Sequence, residues 1–229
     1  MVAAEGREFA GILRHCRRPI RLRWPIEVSQ AAELNGRRLL LAANGPGPDL
    51  AGEAVEAAGS AERVDIIIST GFCGALDPAL EVGDIFVALR IESPEQGIML
   101  AAQRPSTGRS FASGALISID RVAQTVAEKR RLRAAGASAV EMEAAAVGVR
   151  AGRWGVPFFC VRVVTDRAEE GFAMDFNAAR SHDGRFSRAK ILKAALGRPG
   201  VLFPELIRLH HRSRAAAQAL GDFIADCRF

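Results

Sequence analysis

Three strand-length apolar runs, each followed by a turn-forming or polar segment, most constrain the fold of this 229-residue chain. They are RRLLLAAN (37–44), RVDIIIST (63–70) and PFFCVRVVT (157–165). Short continuous apolar runs bounded by turn signals are typical of strands that are buried on both faces. Segments with helical spacing lie between the runs, so the chain alternates between strands and helices.

This alternation predicts the α/β class: a single-domain, three-layer α/β/α sandwich with a mixed, largely parallel central sheet. The chain shows no internal repeat and no clear linker, so we expect one domain over residues 1–229. The C-terminal helical tail, about 187–229, belongs to that domain. Its last helix has apolar or small residues along one face, at positions 206, 209, 213, 216, 220, 223 and 227.

The composition is that of an ordinary globular protein, with 49% hydrophobic and 25% charged residues. No apolar run reaches the roughly 18 residues of a membrane span, and the N-terminus does not resemble a signal peptide. We therefore expect a cytoplasmic protein without an integral membrane segment. The four cysteines are far apart and include no C-x-x-C pair, which predicts reduced thiols rather than a zinc site or disulfides.

The net charge is +5, and basic residues cluster at 14–23, 128–133 and 208–214. Aromatic residues do not alternate with these clusters, and tyrosine is absent. We interpret the clusters as solvated basic faces and expect no nucleic-acid partner. A weak anionic partner, such as phosphate or a membrane surface, stays open.

Ligands of open α/β sheets bind outside the carboxyl ends of the strands. The segments that follow the three apolar runs are therefore the expected site: 45–49, 71–75 and 165–170. Two of these segments contain glycines, including Gly45 and Gly71, which permit a close approach of backbone to ligand. Plain turns would explain the same glycines.

The stretch VEMEAAAV (140–147) places two acids before a run of small apolar residues. An extended backbone would put Glu141 and Glu143 on one face, near a helix N-terminus that tolerates anions. Solvent-exposed acids in a first helical turn are the alternative, and spacing alone favours that alternative. Asp166 at the end of its strand is similarly open between a capping acid and a partly buried catalytic acid.

The segment VEMEAAAVGVRAGRWGVPFFCVRVVTDRA (140–168) resembles the signature of the nucleoside phosphorylase superfamily. LNGRRLLLAANGPG and VDIIISTGFCGALDPALEVGDIFVA fit the same order upstream, so the resemblance covers about residues 1–170. The superfamily includes purine nucleoside and uridine phosphorylases and methylthioadenosine/S-adenosylhomocysteine nucleosidases. The C-terminal part is similar to hopanoid-associated phosphorylases, which are linked to removing adenine from an adenosyl-hopanoid.

The resemblance implies a role for each matching position. Glu143 would grip the ribose 2′- and 3′-hydroxyls, Asp166 would protonate the purine N7, and an N-terminal glutamate would activate water. Glu8 is our first match for that glutamate and Glu5 the second. Further residues are expected to line the substrate site: Met142 at the sugar, Glu141 in support, Thr165 beside Asp166, the loop Gly71, Phe72, Cys73 and Gly74, Val122 and Ala123 beside the base, and Gly45.

Ser69 and Phe72 occupy the places where phosphorylases of this superfamily hold phosphate with other residues. The resemblance therefore leaves water or phosphate open as the nucleophile, with inorganic phosphate a possible co-substrate. The implied reaction needs no metal or organic cofactor, and the histidines show no metal spacing. Val122 stands where nucleosidases often place an aromatic residue, which fits a larger or lipidic 5′ substituent or a degenerate site.

The implied function is cleavage of the N-glycosidic bond of a purine nucleoside or 5′-substituted adenosine, by hydrolysis or phosphorolysis. One alternative is removal of adenine from an adenosyl-hopanoid, and another is a catalytically silent nucleoside-binding module. The family resemblance also implies a homo-oligomer, at least a dimer.

Overall fold

The computed structural model describes residues 1–229. The strands are β1 (Val2–Ala3), β2 (Arg17–Arg21), β3 (Val28–Leu34), β4 (Arg37–Ala43), β5 (Ile67–Ala75), β6 (Ile85–Ser93), β7 (Ile98–Ala101), β8 (Ala112–Ser118), β9 (Ala139–Glu141) and β10 (Phe158–Asp166). The helices are α1 (Ala10–Leu13), α2 (Pro48–Ala61), α3 (Val126–Ala134), α4 (Ala144–Trp154), α5 (Phe176–Ala179), α6 (Arg188–Gly197) and α7 (Pro199–Ala225). Two 3₁₀ turns cover Gly6–Phe9 and Pro94–Gln96.

All ten strands belong to one mixed sheet, in the order β10-β6-β8-β9-β5-β1-β4-β3-β2, with β7 paired to β6. β10 also pairs with β5, so β5, β9, β8, β6 and β10 close into a ring. The predicted α/β class is confirmed. Parallel pairing is less dominant than the alternation predicted, because five strand pairs are antiparallel: β2–β3, β3–β4, β5–β9, β6–β7 and β6–β10.

The hairpin between β3 and β4 turns at Asn35 and Gly36, whose φ angles are +52° and +76°. Two consecutive residues with positive φ are the mark of a type I′ turn, and Asn-Gly is its preferred sequence. The turn sets the register in which Leu34 opposes Arg37. The Asn-Gly dipeptide is therefore a hairpin signal that the pattern of buried apolar runs does not contain.

The helices cover the two faces of the sheet. Along β10, Cys160 and Val164 belong to a core shared with α2 and α4. The alternate residues, Val161 and Val163, belong to a second core that contains residues of α1 and α7. Because side chains alternate along a strand, these two cores lie on opposite faces, as in the predicted sandwich.

The terminal helix α7 packs with its predicted face toward the protein. Positions 216, 220, 223 and 227 are buried, and 206, 209 and 213 are partly buried. Its backbone crosses α1 at very short range: a Cβ on Gly221 would lie 2.1 Å from the carbonyl carbon of Gly11.

No helix of the structure is both long and apolar enough to cross a lipid bilayer. The four cysteines are free thiols.

Two local expectations need correction. The helical spacing of RVAQTVAEKRRLRAAGA (121–137) predicts a helix from residue 121, but α3 begins at Val126, where the Thr125 hydroxyl accepts the amide of Glu128 and caps the helix. The segment REFAGILRHC (7–16) likewise predicts a helix, but it forms a 3₁₀ turn followed by the short α1.

Candidate active site

The candidate active site lies where β5 and β10 run side by side in parallel. Their register places Arg162 opposite Gly71 and Asp166 opposite Gly74. β9 ends beside them at Glu141 and leads into α4 within three residues. The predicted glycine segment, acid pair and strand-end acid thus meet at one edge of the sheet. The loop expected at 71–75 is wrong, because these residues are the last five of β5 and pair with β10 and β9.

Arg162 occupies the centre of this edge and is 0% exposed. Its guanidinium donates hydrogen bonds to the Thr70 carbonyl at 2.7 Å, to the Ser69 hydroxyl at 2.7 Å and to the Glu141 carboxylate. A second carboxylate, that of Glu143, lies 3.8 Å away. Since a buried charge is costly unless it is paired, Arg162 and its acids stabilise one another.

Glu141 is both the counter-ion of Arg162 and the cap of α4. Its carboxylate accepts the amides of Glu143 and Ala144, each at 2.9 Å, and the Ser118 hydroxyl. The solvent-exposed alternative for the two acids is therefore wrong. The sequence spacing of the two acids could not reveal their burial, because the side chains that bind Glu141 are Ser118 of β8 and Arg162 of β10.

Glu143 connects the acid pair to the loop after β4. One carboxylate oxygen accepts the Gly47 amide at 3.0 Å, whereas the other lies 3.8 Å from Arg162 and accepts no hydrogen bond. Burial, reinforced by the negative charge of Glu141, raises the pKa of Glu143 to about 8. The free oxygen is a ready acceptor for ligand hydroxyl groups.

Glu8 is the third buried acid at this edge. Its carboxylate accepts the Phe72 amide at 2.9 Å and the Glu5 amide at 2.7 Å, and burial raises its pKa despite these bonds. The Glu5 side chain instead forms an ion pair with Arg7 and is one-third exposed. Of the two N-terminal candidates, Glu8 is the acid that reaches Gly71 and Phe72 of β5.

Gly71 makes room for this arrangement. Its φ is +130°, and a Cβ there would lie 2.5 Å from Glu8 Oε1 and 2.9 Å from Arg162 Nη1. Both the backbone conformation and the space exclude a larger residue. The close backbone approach expected of the loop is thus made to a buried ion cluster.

Asp166 ends β10 after a shift in its register with β5. Its carboxylate accepts the Thr165 hydroxyl at 3.0 Å and a hydrogen bond from the Lys129 ammonium, which also donates to the Arg167 carbonyl at 2.6 Å. Burial raises the pKa of Asp166, and the nearby Lys129 charge opposes that rise. Gly74 leaves the space, since a Cβ there would lie 2.8 Å from the carboxylate.

The sequence interpretation missed both cations of the site. Lys129 was included in a solvated basic face, but it is 1% exposed and lies 5.6 Å from the Phe172 ring centroid. Lys129 lies among other basic residues in the sequence, and no local pattern distinguishes it from them. Arg162 did carry a signal, because it is the only charge within the apolar run FFCVRVV (158–164).

The other residues expected to line the site are held mainly through their backbones. The Val122 amide donates to the Asn177 side chain at 2.9 Å, and the Val122 carbonyl accepts from it at 3.0 Å. Ala123 packs in a small core with Leu76 and Val140. Four more predicted residues are placed nearby: Met142 is buried, Cys73 is buried with its carbonyl accepting the Thr165 hydroxyl, the Phe72 amide binds Glu8, and the Gly45 amide donates to Ala4.

The segment after β10 folds over the same edge. Arg180 donates to both the carbonyl and the carboxylate of Asp120, and Arg185 donates to Asn44 at 2.8 Å. A Cβ on Gly47 would touch Arg180 and Asp120, each at 2.9 Å. The covering segment therefore bridges the loop after β4 and the residues that follow β8.

The site thus combines two electrostatic units. One is a cluster of three buried acids around Arg162, and the other is the pair formed by Asp166 and Lys129. A cavity of about 1030 Å³ lies at the amino ends of β4 and β5, away from both units. No group of three or more His, Cys, Asp or Glu side chains is arranged to hold a metal ion.

Comparison with known proteins places this chain in a family. Residues 23–108 and 92–196 match the phosphorylase superfamily. A 5′-methylthioadenosine/S-adenosylhomocysteine nucleosidase of Staphylococcus aureus is 28% identical over 143 residues, which cover 51% of this chain and 63% of that enzyme. The match thus spans less than two-thirds of that relative.

Solved structures show the same fold at low identity. The Helicobacter pylori 5′-methylthioadenosine/S-adenosylhomocysteine nucleosidase superposes with a TM-score of 0.72 at 17% identity, covering 97% of this chain and 94% of that one. The Neisseria meningitidis nucleosidase gives 0.71 at 20% identity, covering 98% and 95%. Futalosine hydrolase of Helicobacter pylori gives 0.72 at 17% identity, covering 97% and 93%. From the family match, which extends over most of its length, this chain belongs to the phosphorylase superfamily.

Proposed function

We propose that this chain hydrolyses the N-glycosidic bond of a purine nucleoside or 5′-substituted adenosine and releases the free base. The observation that carries the proposal is the separation of the buried acids into two environments at one sheet edge. Glu8 and Glu143 share the Arg162 cluster, whereas Asp166 is paired with Lys129. Such a division suits a reaction in which opposite charges develop on the two halves of the substrate.

Positive charge develops on the ribose as the bond from C1′ to the base nitrogen breaks. Glu143 has one oxygen free of hydrogen bonds, and its neighbours are Glu141 and Arg162. In the proposal this oxygen accepts the ribose hydroxyls. The ionised form of Glu143, whose share grows as pH rises toward its pKa of about 8, then stabilises the oxocarbenium-like transition state more than the ground state.

Negative charge develops on the leaving base, which needs a proton. Burial raises the pKa of Asp166 toward the range of a useful general acid. In the proposal protonated Asp166 gives its proton to N7 of the purine. The Lys129 ammonium then stabilises the carboxylate that remains, so Lys129 strengthens the acid it touches.

Water is the proposed nucleophile, and Glu8 the base that takes its proton. The oxygen adds to C1′, the base departs with the proton from Asp166, and the products are the free base and the free sugar. Glu8 is buried beside two other acids, and the one cation that faces them, Arg162, is already bound to Glu141. A phosphate dianion would find no free cation there to pair with.

The named relatives support the hydrolytic side of the proposal. The Staphylococcus aureus relative is called a nucleosidase, and one solved neighbour with the same fold is a hydrolase of futalosine. We extend from them only the class of bond that is cleaved. The choice of base and 5′ group is left to the assay.

The assay offers adenosine, inosine, methylthioadenosine and a 5′-alkyl adenosine to the protein, with and without phosphate. We expect free base and free sugar in both conditions. Ribose-1-phosphate that forms only with phosphate would refute hydrolysis in favour of phosphorolysis. No base from any substrate would favour a silent nucleoside-binding module, and strong preference for the alkyl substrate would favour the adenosyl-hopanoid alternative. We also propose at least a dimer, which sedimentation equilibrium tests.

A further inference from the structure

The C-terminal helices expose an unusual amount of apolar surface. Eight large hydrophobic side chains of the chain are exposed, and five of them lie within sixteen consecutive residues of α6 and α7. These five are between 36% and 65% exposed: Leu192, Leu196, Val201, Phe203 and Ile207. We call residues 188–214 the C-terminal hairpin.

The hairpin does not need these side chains for its own packing. Ala195 of α6 and Leu202 of α7 are buried with Met174 and Ala179 in a small core, with Ile191 and Leu206 against it. A surface helix normally needs only one such apolar stripe. The second apolar set, on the outer surface, therefore indicates an external contact.

Positive charge is concentrated on the same hairpin. Residues 188–214 contain seven Lys or Arg and one acid, a net charge of +6, while the remaining residues contain 24 basic and 25 acidic residues, a net charge of −1. The one acid, Glu205, is buried and accepts the amides of Ala173 and Met174. It therefore does not offset the positive charge at the surface.

Basic and apolar side chains share the outer faces. On α6, Arg188 lies one turn before Leu192 on the same face, and Leu192 lies one turn before Leu196. On α7, the exposed residues Phe203, Ile207, His210 and Arg214 follow one another at steps of four, three and four. This spacing produces a continuous stripe along the helix.

Most of the surface cations on these faces have no counter-ion. Arg208 and Arg212 pair with Glu170. Arg188, Lys193, Arg198 and Arg214 take part in none of the ion pairs of the structure, and all four are exposed. They are available to an anionic surface.

We infer that the C-terminal hairpin binds an anionic lipid surface. Apolar side chains would enter the boundary between headgroups and acyl chains, while Lys and Arg would contact lipid phosphates. A second copy of this chain fits poorly, because two like patches of net charge +6 would face each other across a two-fold axis. Nucleic acid also fits poorly, because aliphatic side chains offer the bases no stacking surface.

The test measures co-sedimentation of the full chain with vesicles. One set contains phosphatidylcholine alone and the other equal parts of phosphatidylcholine and phosphatidylglycerol. We expect binding to the anionic vesicles, and weakening of that binding by salt. A charge variant carries Gln at 188, 193, 198 and 214, and an apolar variant carries Ser at 192, 196, 203 and 207.

The charge variant should weaken binding at least about tenfold, since each basic residue near an anionic membrane contributes about a factor of five. The apolar variant should also weaken binding at least about tenfold, because its Ser side chains cannot enter the acyl-chain boundary. A matched control with Ile20→Ser and Met99→Ser alters exposed apolar residues elsewhere and should bind normally. No vesicle binding by the unaltered chain would overturn the inference. So would variants that bind vesicles normally but lose a subunit contact in sedimentation. Turnover of soluble nucleosides is a separate readout, so failure here and failure of the proposed hydrolysis are distinguishable.

Discussion

The Lys129 ammonium donates a hydrogen bond to the Asp166 carboxylate, and both side chains are almost completely buried. The two residues come from α3 and the end of β10, which are 37 positions apart. Because Lys129 opposes the pKa rise that burial imposes on Asp166, the pair sets the acid strength of the residue proposed to protonate the leaving base.

Removing Lys129 should raise the pKa of Asp166 further. In Lys129→Met we expect slower base release at neutral pH, because the weaker acid gives up its proton less readily, and a shift of the alkaline limb of the pH profile toward higher pH. The measurement is base release from adenosine between pH 5 and pH 10. Asp166→Asn should instead lose about 100-fold or more at every pH. Lys193→Met, on the exposed face of α6, is the control, and an unshifted profile in Lys129→Met would contradict the role of the pair.

Substitutions of Glu8 and of Glu5 should have very different effects on the hydrolysis rate. Glu8→Gln removes the proposed base, so we expect a loss of about 100-fold or more in the hydrolysis rate. Glu5→Gln should change the rate by less than about threefold, because the Glu5 carboxylate contacts Arg7 at the surface. Thermal unfolding of both variants checks that they are folded. Equal losses in the two variants would refute the assignment.

Replacing Arg162 should lower the free energy of unfolding of the protein. Arg162→Met leaves the buried acids Glu8, Glu141 and Glu143 without a cation, so we expect a loss of about 3–5 kcal/mol in the free energy of unfolding. Urea denaturation measures it. The control is Arg90→Met, because Arg90 is exposed and pairs with Glu92; it should cost less than about 1 kcal/mol. Similar costs for the two variants would show that the cluster is not held by charge pairing.

The raised pKa of Glu143 predicts a pH-dependent stability. The folded protein binds this proton more tightly than the unfolded chain, so the stabilisation is complete below the unfolded pKa of 4.5 and disappears as pH rises through about 8. The total is at most about 5 kcal/mol, at about 1.4 kcal/mol per pKa unit. Glu143→Gln keeps the group neutral and should not suffer this loss.

Thermal midpoints of the unaltered chain and of Glu143→Gln, measured from pH 5 to pH 9, should therefore diverge in favour of the variant. Glu169→Gln, which alters an exposed acid, should follow the unaltered chain. Parallel curves for Glu143→Gln and the unaltered chain would show that Glu143 is ionised across this range.

The sequence predicted the strands and the sheet edge that carries the site, because buried strands and the glycines near their carboxyl ends leave local patterns. RVDIIIST and PFFCVRVVT predicted β5 and β10, whose carboxyl-terminal residues lie side by side, although 71–75 extend β5 rather than form a loop. The closure of five strands into a ring could not be predicted, since it depends on pairing between β5 and β10, which are separated by more than 80 residues.

The acids of the candidate site were found, but their partners were not. Glu143 and Asp166 stand in recognisable motifs, whereas Lys129 lies among surface-like cations. Spacing also could not distinguish the tasks of Glu141 and Glu143. Only the contacts show that Glu141 has its hydrogen bonds filled by protein groups, while Glu143 keeps one oxygen free.

β2 forms one edge of the sheet, and its outer backbone groups have no neighbouring strand. An open edge of this kind can recruit a strand from another molecule and start aggregation. β2 is short and fully exposed, and it carries three arginines and a proline, with Arg18 at a φ of +51°. The proline lacks an amide to donate, and the arginines would repel a like strand. The same residues that raise the charge of the N-terminal region thus protect the sheet from uncontrolled growth.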